Sequence, residues 1–120
     1  MENDLYIYLV NMGYLTAYRL KIECPDGLDH QDIIIAELRQ SNENAAYALN
    51  EKGDSLHVSK WYDASNDINN LSKQYPSHTF TLYGEGEERD DYWYGVYCNG
   101  EQTFYRGRVT IQYEKVHSPY

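Results

Sequence analysis

The residues best equipped for chemistry crowd into one stretch, Gly84-Glu85-Gly86-Glu87-Glu88-Arg89-Asp90-Asp91, with five carboxylates and one arginine. Carboxylates at this density can bind a divalent cation, act as an acid–base pair or receive a basic partner. Cation binding of the EF-hand kind requires Asp-x-Asp-x-Asp-Gly spacing and a closing glutamate, and neither is present. Acid–base work requires two carboxylates at a fixed separation, which neighbouring positions on a turn do not supply. The stretch reads as a solvated turn whose acids face solvent or a basic surface. The four histidines, His30, His57, His78 and His117, show no pair at metal-binding spacing. His57 and His78 fall in expected strands and can converge in space. Cys24 and Cys98 lack a metal-ligand or redox spacing and read as free thiols, a single disulfide staying open. No Gly-x-Ser-x-Gly, phosphate-binding loop or dinucleotide loop occurs; Gly84-x-Gly86 has neither the third glycine nor a following helix. A non-enzymatic chain without cofactor or metal is therefore expected.

The composition points the same way. Nineteen acids against ten bases leave a net charge of −9, a field that repels nucleic acid and anionic membrane and attracts basic partners. The aromatic content is carried by 14 tyrosines against two tryptophans and two phenylalanines. A tyrosine covers a large apolar area while its hydroxyl seeks a partner, so it suits half-buried sheet faces and binding surfaces. No apolar run is long enough to span a bilayer. Met1-Glu2-Asn3-Asp4 is acidic where a secretory signal is basic, and a cytoplasmic location is expected.

The elements that must position these side chains follow from periodicity. Residues 4–10 read as a strand apolar on both faces, ended by Asn11-Met12-Gly13. Residues 14–24 form a second strand with Tyr18, Leu20 and Ile22 on one face and Arg19, Lys21 and Glu23 on the other. After Pro25-Asp26-Gly27, a helix capped by Asp29 runs to about Gln40 with Ile34, Ile35 and Leu38 as its buried stripe. Residues 45–49 either prolong that helix or pair, as 46–50, with 56–62 across Glu51-Lys52-Gly53-Asp54; the Gly53-Asp54 turn and the alternation after it favour the hairpin. Asp63 caps a second helix through Ala64, Ile68, Leu71 and Tyr75, stopped by Pro76. Three strands follow: 78–83 with Phe80 and Leu82 inward, 91–98, and 101–113 after the Asn99-Gly100 turn. In the last, Tyr105, Val109, Ile111 and Tyr113 share a face. One α+β domain over 1–120 results, a mainly antiparallel sheet with two helices on one face, a ferredoxin-like core and extra C-terminal strands.

Trp61-Tyr62-Asp63, Leu71-Ser72-Lys73-x-Tyr75-Pro76, Phe80-x-Leu82, Gly84-Glu85-Gly86-Glu87-Glu88, Asp91-x-Trp93 and Asn99-Gly100 occur here in an order that resembles small proteins of bacteria and their phages or plasmids. The likeness covers roughly 61–113. It implies a compact α+β domain of the ferredoxin-like group, no catalytic residues to carry over, and a mobile-element setting. Small acidic proteins of that setting include inhibitors of host defence nucleases, the anti-CRISPR and anti-restriction types.

The reading that unites these features is an acidic binding domain that occupies a basic site on a nucleic-acid-binding host protein. Glu85, Glu87, Glu88, Asp90 and Asp91 would steer and pair with lysine or arginine, while Tyr92, Trp93 and Tyr94 supply contact area. Trp93 shares its face with Tyr97 and is either a core anchor or the aromatic centre of that interface. The competing readings are a homodimeric assembly module and a small metal-dependent hydrolase.

Overall fold

The computed structural model describes residues 15–27, 29–88, 91–107 and 110–118. The strand expected at 4–10 and its turn lie outside these residues. The alternation of residues 16–23 folds as expected into β1 (Thr16–Glu23), burying Thr16, Tyr18, Leu20 and Ile22 and exposing Arg19, Lys21 and Glu23. A 3-10 turn (Pro25–Gly27) breaks the strand, with Gly27 at φ 70°. Helix α1 (Gln31–Ser41) then buries Ile34, Ile35 and Leu38. Its N-cap is His30, with no side-chain cap hydrogen bond, in place of the expected Asp29. Nearby, the Gln31 side chain reaches back to accept from the Ile22 N–H at 2.8 Å, tying the start of the helix to the strand.

Of the hairpin expected from residues 46–50 and 56–62, only a single antiparallel bridge forms, Leu49 to Ser55, with the Leu56 N–H donating to the Ala48 carbonyl at 2.9 Å. Asn42 ends α1 and restarts the helix, its Oδ1 accepting from the Ala45 N–H at 3.1 Å, so residues Glu43–Ala48 become a short helix, α2. Three alanines in this segment favour helix over strand, and Ala45, Ala48 and Leu49 are fully buried at helical spacing. The turn at 50–54 closes that bridge, the Asn50 N–H donating to the Asp54 carbonyl at 2.8 Å, and it also reaches β1. Asn50 Oδ1 accepts from the Lys52 and Asp54 N–H groups, and Gly53, at φ 86°, offers its carbonyl to the Leu20 N–H at 2.8 Å. Further on, Thr16 and Ser59 exchange two backbone bonds of 3.0 Å. Residues 53–59 thus cover the outer edge of β1, which would otherwise be an open template for pairing.

Helix α3 (Ala64–Gln74) buries Ala64, Ile68, Leu71 and Ser72 and ends before Pro76, as its spacing predicts. Asp63 holds the N-cap position without a side-chain bond. Strands β2 (Thr79–Gly86), β3 (Tyr92–Cys98) and β4 (Glu101–Arg106) complete the sheet. Asn99 at φ 48° and Gly100 at φ 83° make the tight turn between β3 and β4 that this pair of residues favours. The last strand ends at Arg106, well short of the expected Tyr113. Arg106 lies opposite Trp93, near the start of β3, and the Gly107 N–H makes a final bond to the Tyr92 carbonyl. Beyond that point β3 offers no backbone to pair with, and Ile111 and Tyr113 are exposed.

An α+β fold results, an open four-stranded antiparallel sheet with its helices packed on one face. The strands lie in the order β1-β2-β3-β4. Of the expected ferredoxin-like core, the described strands keep the antiparallel sheet under helices, with strands in chain order rather than interleaved. The core joins Tyr18, Leu20 and Ile22, Phe80 and Leu82, and Tyr97 from one face of the sheet to the helices and Trp61.

Candidate functional site

The opposite face of the sheet carries an aromatic row. The registers place Arg19 across from Tyr83, Tyr83 from Tyr94 and Tyr94 from Tyr105, so one side chain from each strand enters a single line. Cross-strand neighbours on one face touch. The Arg19 guanidinium lies 4.3 Å from the Tyr83 ring centre, a cation–π contact. Tyr83 and Tyr94 are 5.5 Å apart, and Tyr94 stacks on Tyr105 at 4.6 Å with 19° between the planes. Tyr83 and Tyr94 are half-buried, Tyr105 exposed. A groove of about 560 Å³ lies along this row, lined by Arg19, Tyr83, Tyr92, Tyr94, Tyr105 and Arg106, with Glu85 at its side. Its volume suits a small ligand or a few side chains of a partner.

The sequence-derived site residues divide between the two faces. Glu85, Tyr92 and Tyr94 stand on the open face, Glu85 directly across from Tyr92. Glu87 Oε1 accepts from the Leu15 N–H at 2.6 Å, at the edge of the turn. Glu88 is exposed; its carbonyl accepts from the Asp91 N–H, and the Asp91 carbonyl from Gly86 N–H, closing the turn. Asp90 lies outside the described residues. Trp93 points to the helix-bearing face, half-buried, over Gly84 and edge-on to Tyr18 at 6.2 Å. Its ring packs against the core on the face opposite Tyr92 and Tyr94, and the residue still contributes to the lining of the same groove. Sequence reasoning did not place Arg19, Tyr83 and Tyr105 in the site. For Tyr105 a signal existed: the two-residue turn at 99–100 sets Cys98 opposite Glu101, and counting outward sets Tyr94 opposite Tyr105.

A second cluster sits at the other end of β1. His30 and His78, not His57 and His78, come together, with Nε2 atoms 2.7 Å apart. His57 stacks instead on Tyr47 at 4.6 Å. Cys24, a free thiol as is Cys98, brings its sulfur to within 4.8 Å of ring nitrogens of both histidines. His78 is buried, flanked by Tyr75 and Phe80, and its Nδ1 has no hydrogen-bond partner. Burial first, then the facing His30, hold the His78 imidazole below its ordinary pKa. The Tyr75 phenol next to it donates to Glu37 Oε2 at 2.6 Å, and that bond raises its pKa.

The depressed His78 pKa predicts a pH dependence. An unfolded imidazole takes up its proton near pH 6.5, whereas folded His78 does so only at lower pH. In that window the unfolded chain binds more protons, so stability rises with pH. The contribution is fully present above about pH 6.5 and is lost as pH falls through that value toward the folded pKa. Urea midpoints of chelator-treated protein, compared just above and about one unit below pH 6.5, should drop more for the native chain than for His78→Leu. Equal drops would place the acid sensitivity elsewhere.

Comparison with protein-family models, with curated proteins and with solved structures returned no match to this chain. Among the described residues, no helix is long and apolar enough to cross a membrane.

Proposed function

We propose that this chain is a non-enzymatic protein-binding domain whose open sheet face receives a basic segment of a partner. The observation that carries the reading is the tyrosine row in its groove, with Glu85 beside it and the acidic turn joining β2 to β3 just beyond Glu85. Tyrosine faces attract guanidinium and ammonium groups, as Arg19 over Tyr83 already illustrates within the chain. Carboxylates at the rim steer a cationic partner and exclude an anionic one. The net charge of −9 extends that preference over the whole molecule. A basic surface of this kind is typical of nucleic-acid-binding proteins, the class of host target that the resemblance of residues 61–113 implies.

Affinity capture from host lysate, at low and high salt, tests the proposal directly. The native chain should retain a basic protein that elutes as salt rises. Tyr94→Ser with Tyr105→Ser should weaken retention on the order of tenfold or more, the usual consequence of losing central aromatic anchors. Glu85→Gln with Glu88→Gln and Asp91→Asn should mainly flatten the salt dependence. Unchanged capture by both variants would remove this face from consideration.

One observation favours a second reading, self-association through the sheet edge. Strand β4 is exposed at every position, and among the described residues no strand pairs with its outer edge. Unprotected edges recruit further strands. Sedimentation distinguishes the two: a stable homodimer that retains nothing from lysate supports assembly, and a monomer that retains a basic protein supports recognition.

A further inference from the structure

We propose that Cys24, His30 and His78 form a binding site for a zinc-class divalent cation. The three ligands come from three separate segments. Cys24 follows the last residue of β1, His30 precedes α1, and His78 lies between α3 and β2. One sulfur and two imidazole nitrogens are the donors zinc prefers, and three protein ligands leave a fourth position for water. The distances suit the ion. Bonds of about 2.0–2.1 Å to nitrogen and about 2.3 Å to sulfur set ligand–ligand separations of roughly 3.3–3.6 Å around a tetrahedron. The donor atoms here lie within 4.8 Å of one another, and the two Nε2 atoms at 2.7 Å. Small rotations of the half-buried Cys24 and His30 bring all three onto that sphere.

The chemistry of the metal-free pair supports the assignment. Two neutral imidazoles facing through Nε2 make a single hydrogen bond, one nitrogen donating and the other accepting. That bond is the single polar tie of the buried His78 ring, its Nδ1 being unpartnered, so no other protein group holds the ring when a cation takes the place of the His30 contact. A cation between the rings accepts a lone pair from each. The displaced Nε2 proton moves to the other nitrogen of its own ring, and the Cys24 thiol releases its proton to solvent as the thiolate binds. One proton therefore leaves for each zinc bound, and affinity rises with pH. Once bound, the ion ties the end of β1 to the start of α1 and to the segment leading into β2. This site is independent of the tyrosine face.

The test uses untagged, chelator-treated full chain titrated with Zn(II) and, as a spectroscopic probe, Co(II). Zn(II) should bind with a one-to-one endpoint, release about one proton per ion in weakly buffered solution, and raise the thermal midpoint. Co(II) should show tetrahedral visible bands and a near-ultraviolet thiolate-to-cobalt charge-transfer band. Cys24→Ser should abolish the charge-transfer band, and both Cys24→Ser and His30→Gln should weaken Zn(II) binding by on the order of 10–100-fold. These two residues are chosen because they are only half-buried, so folding survives their replacement. Cys98→Ser and His57→Gln should leave the titration unchanged. Absence of Zn(II) binding, or a Co(II) spectrum without the thiolate band, overturns the assignment. So does binding that survives both ligand substitutions or is lost with either control.

Discussion

Replacing Trp61 with alanine is expected to destabilise the domain by about 4 kcal/mol, a large share of the roughly 5–15 kcal/mol that holds a domain of this size together. Trp61 is 2% exposed and joins the sheet to the helices. Its ring meets Tyr18 edge-on at 5.4 Å, and its carbonyl accepts from the Tyr18 hydroxyl at 3.3 Å. Its Nε1–H donates to Asp67 Oδ2 at 2.8 Å, on the first turn of α3. The same oxygen accepts from Asn42 Nδ2 at 2.9 Å, so one carboxylate links the tryptophan to the residue that restarts the helix at α2. Truncation removes the ring, leaves a cavity and strips Asp67 of one partner. Trp61→Phe retains most of the packing and removes the N–H, and should cost about 1–3 kcal/mol. Urea unfolding of both variants measures the difference. A Trp61→Ala midpoint close to that of the native chain would show that the core does not depend on this residue.

The second large effect is expected from Gly84→Val, which should cost about 3 kcal/mol by overpacking the helix-bearing face and unseating an aromatic ring. Gly84 and Trp93 are direct cross-strand partners, and a Cβ on Gly84 would fall within the Trp93 indole. Either the strands separate or the indole swings outward, forfeiting its contact with Tyr18. Trp93 emission should shift to longer wavelength as the ring meets water. In a Trp93→Ala background the obstacle is gone, so the Gly84→Val cost should fall by more than about 1 kcal/mol, the range found for residues in contact. Strict additivity of the two substitutions would contradict the packing. Gly95 repeats the arrangement: a Cβ there would meet the ring of the buried Tyr97 two residues along the same strand.

Both positions illustrate what is legible in a chain of this kind. Alternation in 16–23 and the stripes of α1 and α3 specify their own buried faces, because each element needs only its neighbours in sequence to define a side. The Asn99-Gly100 turn likewise fixes the β3–β4 register locally. Residues 45–50 read either way because Ala45, Ala48 and Leu49 sit where one more helical turn or a strand end satisfies the same short pattern, and the chain uses both, a helix to Ala48 and a bridge at Leu49. Burial beneath α1 and the Asn42 cap decided the helical part. The last strand is shorter than its pattern because alternation continues past Arg106 while its partner strand does not. A strand persists only as far as backbone groups exist to pair with it.

The amino-acid order by itself determined the α+β class, the buried side of each main element, the acidic balance and the tyrosine surplus, all of which are local or summed properties. The tertiary structure alone decided that β1 pairs with β2 across the whole helical segment, and this single non-local pairing has two consequences. It sets Arg19 at the end of the Tyr83, Tyr94 and Tyr105 row, and it brings Cys24, His30 and His78 together. Such meetings depend on how residues 24–78 fold back onto the sheet, a long-range closure whose outcome no short sequence window contains.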